Sequence, residues 1–246
     1  MKSKAPQIFT LILSSLAFAG WLQAAPTAAD VGDAESFGHS ALYMGAASGF
    51  VRLAPACSPA PAAATANNDQ CFQLNPQPAS TSFEANDICR INLPKKATRT
   101  VIYPVLNFFL RYELKNETGV FQPQGLLTYR ATISIESDAL LDPSIIDPST
   151  GTSANGKLAA VFSDKYEDDR SMDSTDRQKH SMTFVRLGNT GITKASLVAQ
   201  GLSQAAVDHL FNSSMTIRMN IIDGSARLLT STKTATITGN MRLFGD

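Results

Sequence analysis

An acidic stretch near the middle of the chain is the best candidate for a site with chemistry of its own. Asp164, Asp168, Asp169 and Asp173 lie within ten residues, with serine and arginine between them. Ca²⁺ prefers several oxygen ligands from a flexible loop, so the acidic loop 164–176 is a candidate calcium site. Basic residues interleave with the acids and the spacing is not that of an EF-hand, which favours a solvated, self-paired surface loop.

Three histidines offer the means for nucleophilic catalysis. They are His39, His180 and His209. A Ser–His–Asp triad is defined by geometry and not by order along the chain, so a secreted hydrolase using His39 or His180 is one hypothesis. The chain has no GxSxG motif, and its serines and aspartates are too numerous to be informative. We therefore favour a protein without enzymatic activity and assign no catalytic residue.

Three cysteines indicate a disulfide more readily than a metal site. Cys57, Cys71 and Cys89 form no CxxC pair, and no histidine lies at zinc-ligand spacing. An oxidising compartment would allow one disulfide and leave one thiol. We favour Cys57–Cys71, because that bridge would close the Pro- and Ala-rich segment between them. Pairing of Cys57 with Cys89 is the alternative, although Cys89 alternates with Ile91 and Leu93 as a buried strand residue would.

The N-terminus has the features of a cleavable signal peptide. Two lysines precede an apolar stretch over residues 8–22, and small residues offer cleavage after Ala19 or Ala24. The stretch is shorter than the ~20 residues that span a bilayer. We expect removal of residues 1–24 and an exported protein that is periplasmic, cell-surface-associated or secreted, and not an integral membrane protein.

The remaining chain is long enough for one domain with a substantial core. We expect a mobile lead-in at 25–40 and a single β-rich domain at 41–246, with an irregular Pro- and Ala-rich segment at 54–87. The full chain has 21 basic and 21 acidic residues, and loss of the two N-terminal lysines leaves a net charge of −2. That balance provides no general attraction to nucleic acid.

Alternation of apolar and polar residues predicts most of the domain to be strands. It is clearest from Leu127 to Ile135, and Leu106 to Leu114 shows the same period. We expect these two strands to form a long hairpin, and Asp223-Gly224 to form a second hairpin turn. The fold class is therefore an antiparallel β-sandwich of jelly-roll or immunoglobulin-like type.

One segment, 193–214, departs from this pattern and predicts a short helical hairpin. Thr193 and Ser203 are suitable N-caps for its two helices. The sequence from Gly201 to Leu210 resembles the turn and second helix of a helix-turn-helix DNA-binding motif. Leu197 stands where that motif has a small residue, and the chain lacks the basic groups that phosphates require. We interpret the hairpin as a connector between strands.

These observations favour an exported, non-enzymatic binding module or a structural component of an extracellular or periplasmic assembly. No cofactor is expected apart from the Ca²⁺ of the alternative above. The Thr-rich segment 230–238 suggests a protein partner or self-association through an exposed sheet edge.

Overall fold

The computed structural model describes residues 42–57, 69–162, 164–187 and 191–246. The expected signal peptide, the lead-in and His39 lie outside these residues. The described chain forms a 3-10 turn (Asp138–Leu140) and two α-helices, α1 (Lys194–Ala199) and α2 (Gln204–Asn212). Its strands are β1 (Leu42–Ala54), β2 (Gln70–Gln73), β3 (Thr81–Leu93), β4 (Val101–Lys115), β5 (Gln122–Glu136), β6 (Ile146–Asp147), β7 (Thr152–Ser153), β8 (Lys157–Phe162), β9 (Tyr166–Met172), β10 (Arg177–Leu187), β11 (Ile192–Thr193), β12 (Met215–Arg227) and β13 (Ala235–Gly245).

Two sheets pack face to face, which confirms the predicted sandwich. Sheet A has the strand order β10-β4-β13-β1-β2, with β11 also beside β4, and sheet B has the order β3-β12-β5-β8, with β9 also beside β5. All pairings within the two sheets are antiparallel except that of β1 with β2. The rings of Phe108 on β4 and Tyr129 on β5 lie 5.9 Å apart between the sheets.

The core follows from the alternation in the sequence. On β4, Leu106, Phe108 and Leu110 are buried while Phe109 and Arg111 on the opposite face are exposed. Burying each large apolar side chain contributes about 1.5–3 kcal/mol, which favours one register over its one-residue slip. Each strand of the sandwich therefore has one face in the core.

The predicted hairpin of β4 with β5 is wrong. Strand β4 pairs with β10, β11 and β13 in sheet A, whereas β5 pairs with β12, β8 and β9 in sheet B. The residues between them, 116–121, cross from one sheet to the other. The alternation was predicted correctly, but an apolar face is equally well buried by a strand in the facing sheet.

The predicted turn at Asp223-Gly224 is also wrong, and so is the return strand after it. Strand β12 continues through both residues, and its register with β5 shifts between Ile222 and Ser225. Asp223 has a φ of 53°, as in the expected turn. A β-bulge needs the same backbone freedom, and here a side chain at Gly224 would meet the carbonyl oxygen of Phe83 at 2.4 Å.

The C-terminal strand does not provide the predicted exposed edge. Residues 230–234 form no strand, and β13 lies between β1 and β4 in the interior of sheet A. The described residues of segment 54–87 are also more regular than expected, because they include β2 and the first half of β3. Strand β2 pairs with β1, and its Phe72 packs against the core beside Phe83.

The helical hairpin and the disulfide are confirmed. The Thr193 hydroxyl accepts a hydrogen bond from the Ser196 amide (2.8 Å), and Ser203 caps α2. The favoured disulfide, Cys57–Cys71, is formed. Cys89 is a buried thiol on β3, and burial raises its pKa to about 12. Within the described ranges, no helix has the length and apolar character needed to cross a membrane.

Candidate functional site

The acidic stretch forms strand β9 and the following turn instead of a surface loop. Alternation along β9 buries Asp168 and leaves Asp169 exposed on the opposite face, where it accepts a hydrogen bond from Gln124 (2.8 Å). Asp164 precedes the strand, and Asp173 lies in the turn that leads to β10. In the described part of the chain, no group of three or more His, Cys, Asp or Glu side chains is arranged to hold a metal ion. Calcium binding stays a prediction.

Asp168 is instead the centre of a polar cluster between the two sheets. The Tyr112 hydroxyl donates to its Oδ2 (2.5 Å), and Tyr112 also shares a hydrogen bond with the hydroxyl of Tyr166 (2.7 Å). Arg170 donates from Nε to Oδ1 of the same carboxylate (2.7 Å). Each oxygen of this buried carboxylate thus accepts a hydrogen bond, which offsets its loss of hydration.

His180 joins the cluster from β10. Its ring stacks on Tyr112, with centroids 4.6 Å apart and planes within 9° of each other. Nε2 lies 3.4 Å from Oδ2 of Asp168. That nitrogen is buried and has no hydrogen-bond partner among the described residues. The cluster thus brings together a histidine and an aspartate, two of the three residue types of a catalytic triad.

The tyrosines act as permanent hydrogen-bond donors. Burial, followed by the hydrogen bond to Asp168, raises the pKa of Tyr112 far above its ordinary value, and burial also raises the pKa of Tyr166. The ring of Tyr166 stacks on Phe184 of β10 with centroids 5.6 Å apart. The cluster therefore closes the side of the sandwich where β9 of sheet B meets β10 of sheet A.

A groove on the outer face of sheet A has a different character. We call it the basic groove; its volume is about 680 Å³. Most of its lining side chains alternate with the core residues of β4 and β10 or belong to residues 233–236 at the start of β13, and Tyr112 and His180 of the polar cluster border it. The lining residues are Phe109, Arg111, Tyr112, Glu113, Arg177, Lys179, His180, Ser181, Lys233, Thr234 and Thr236.

Charge distinguishes the basic groove from the rest of the chain. Its described lining includes four basic residues and one carboxylate, which gives a net charge of +3 with histidine neutral. Arg177 Nε donates to Oε1 of Glu113 (2.6 Å), which leaves Arg111, Lys179 and Lys233 in excess. The whole sequence is balanced, so this local surplus arises from the register of β4 with β10, which brings Lys179 beside Glu113 and Arg111 beside Ser181.

The carboxylate in the basic groove responds to this surplus of cations. The hydrogen bond from Arg177 lowers the pKa of Glu113, and the positive charges of Lys233 and Lys179 lower it further. Glu113 is therefore ionised and neutralises one of the four basic side chains. The other three face open solvent in a concave surface that is suited to an anion.

A second cavity has no such surplus. It has a volume of about 640 Å³ and is lined by Glu136, Asp138 and Lys157 among its charged residues. Glu136 is already paired with Arg218, whose Nη2 lies 2.6 Å from Oε2. This cavity offers an incoming ligand no concentrated charge of either sign.

Sequence reasoning found Asp168 and His180 separately but missed that they meet, and it missed the basic groove. The alternation on β4 placed Arg111 and Glu113 opposite the core, which was a usable signal. The alternation could not predict which residue of another strand lies beside each of these side chains. Lys179 faces Glu113 and Ser181 faces Arg111 only because of the β4–β10 register.

Comparisons with known proteins do not identify the chain. No protein family model matches it, and no curated protein matches it in sequence. Two solved structures of the VP2 protein of infectious bursal disease virus are weakly similar. A mutant in T=1 particles is 9% identical over 70% of this chain and 36% of that chain, with a TM-score of 0.13. A subviral particle is 8% identical over 84% of this chain and 41% of that chain, with a TM-score of 0.12. The chain thus spans less than half of either capsid protein, and likenesses this weak carry no argument about fold or function.

Proposed function

We propose that the protein is an exported, non-enzymatic binding module that takes anionic ligands in the basic groove. The observation that carries this proposal is the net charge of +3 in a concave surface of a chain whose total charge is zero. Carboxylate, sulfate or phosphate groups on a ligand would meet Arg111, Lys179 and Lys233. Charge-assisted hydrogen bonds from such side chains are about twice as strong as neutral ones.

Two features support export. Residues 1–24 have the charge and hydropathy pattern of a signal peptide. The Cys57–Cys71 disulfide is of a kind that persists in oxidising compartments and is rare in the cytosol. An exported protein meets acidic polymers at cell surfaces, so an anion-binding groove has potential ligands there.

The test compares two double variants that remove equal charge. Arg111→Ala with Lys179→Ala lowers the net charge of the basic groove from +3 to +1, while Lys95→Ala with Lys157→Ala removes two exposed lysines elsewhere. We expect the groove variant to bind an immobilised polyanion such as heparin about tenfold more weakly or worse, since each basic group contributes a hydrogen bond to a charged partner. The control should bind like the natural protein, and binding should weaken with salt.

Equal binding by the two variants would show that any polyanion affinity is spread over the surface, and it would overturn the assignment to the groove. Absence of binding by the natural protein at low salt would overturn the anion-binding function itself.

A secreted hydrolase stays the alternative, and one contact favours it. Nε2 of His180 lies 3.4 Å from the Asp168 carboxylate. We would test ester, glycoside and peptide substrates with the purified protein. Turnover that disappears in His180→Ala or His39→Ala would support the enzyme, whereas turnover that persists in both variants would reject these histidines.

A further inference from the structure

The outer face of sheet A repeats one pair of side chains on two strands. A phenylalanine and, two residues later, an arginine point outward from both β4 and β1, and β13 lies between these strands with a threonine at each level. Strand register arranges them as an aromatic row and a cationic row. The aromatic row consists of Phe109, Thr238 and Phe50, and the cationic row consists of Arg111, Thr236 and Arg52.

The spacing of this repeat follows from sheet geometry. Strands β4 and β1 are two positions apart, so the two phenylalanines are separated by about 10 Å at 4.7–4.9 Å per strand. Within a strand, phenylalanine and arginine are about 7 Å apart. Two linked sugar rings in an extended chain cover a length close to the first of these distances. A polymer that crosses the strands would therefore meet the same pair of side chains once per disaccharide.

The side chains are available to a ligand. Phe109 is 40% exposed and lies in the basic groove, which continues the surface toward Arg111. Arg111 is also exposed, and Phe50 and Arg52 are partly exposed. The threonine hydroxyls between the strands can bond to sugar hydroxyls.

We propose that this face binds a linear acidic polysaccharide with one carboxylate per disaccharide, laid across β4, β13 and β1. This proposal rests on the proposed anion-binding function and names its ligand class. Each phenylalanine contacts one sugar ring, and each arginine binds the carboxylate of the same repeat. A single-stranded nucleic acid carries a phosphate on every nucleotide, so its charges are spaced more closely than the two arginines, which are about 10 Å apart.

The experiment uses calorimetry with hyaluronan oligosaccharides, which carry one carboxylate per disaccharide. We expect the tetrasaccharide, which can reach both arginines, to bind at least tenfold more tightly than the disaccharide. Arg52→Gln and Arg111→Gln should each weaken tetrasaccharide binding about tenfold, the factor for one hydrogen bond to a charged group. Phe50→Leu and Phe109→Leu remove the rings and keep apolar packing. Arg242→Gln, on the same outer face but beyond both rows, is the control and should change nothing.

The outcomes separate this inference from the function it rests on. If Arg111→Gln weakens binding while Arg52→Gln and Phe50→Leu do not, the groove binds anions but the repeat across the sheet is wrong. Tighter binding of oligo-dT than of the hyaluronan tetrasaccharide would overturn the polysaccharide class. If neither hyaluronan nor heparin binds, both proposals fail. Melting temperatures of all variants, matched to the natural protein, are required so that unfolding is not scored as loss of binding.

Discussion

Removing the Asp168 carboxylate should destabilise the sandwich strongly and identify the polar cluster as structural. In Asp168→Ala, the buried hydroxyl of Tyr112 loses its acceptor and keeps one bond to Tyr166, and Arg170 loses its ion partner. Breaking a buried ion pair costs 3–5 kcal/mol, but the Arg170 side chain is 36% exposed and regains water. We therefore expect a loss of about 3 kcal/mol.

A graded series tests this magnitude. Asp168→Asn keeps one acceptor oxygen for Tyr112, but it loses the charge and turns an NH2 donor toward Arg170, which can move into solvent, so its cost should be about 1.5 kcal/mol. Asp169→Ala is the matched control, because the neighbouring aspartate lies on the exposed face and should change stability by less than about 0.5 kcal/mol. Urea unfolding at pH 7, followed by circular dichroism, measures all three. A loss below about 1 kcal/mol in Asp168→Ala would refute the reasoning.

Two further predictions concern the carboxylate of Asp246 and the disulfide. Burial raises the pKa of Asp246, but hydrogen bonds from Thr100, Thr98 and nearby amides outweigh it and lower that pKa well below its ordinary value. Asp246→Asn should therefore unfold at a lower urea concentration than the natural protein at neutral pH. The difference in stability between the two should shrink below about pH 4, because the carboxyl protonates first in the unfolded state and then in the folded state. Unfolding midpoints that differ equally at pH 3 and pH 7 would contradict this. Replacing Cys57 and Cys71 together by serine should lower the free energy of unfolding by about 3 kcal/mol, because the bridge closes a loop with a sequence separation of 14. Urea midpoints unchanged by the double replacement would contradict this.

Local features of the fold were predictable from the sequence because they depend on neighbouring residues. Strand alternation, the caps Thr193 and Ser203, and the Cys57–Cys71 bridge are of this kind. The sheet to which each strand belongs was not predictable, since the apolar face of β4 is buried equally well by a hairpin partner or by the opposite sheet. Positive φ at Asp223 fits a turn and a bulge alike.

Both candidate sites depend on contacts between residues that are distant in sequence. Tyr112 and Asp168 are 56 residues apart, and no local pattern connects them. The acidic composition around Asp168 suggested a solvated loop, whereas pairing of β9 with β5 turned alternate acids inward and outward. In the same way, Phe50 and Phe109 became members of one row only through the registers of β13 with β1 and β4.

The most direct test of the account is a titration of the isotope-labelled protein with a short acidic oligosaccharide, followed by amide NMR. If the basic groove binds anions, the signals of Arg111, Lys179 and Thr236 should shift together and saturate, and added salt should reverse the shifts. Signals on the outer face of sheet B, such as Thr216, should stay in place. Shifts that concentrate on sheet B, or that spread without saturation over both faces, would contradict the central claim.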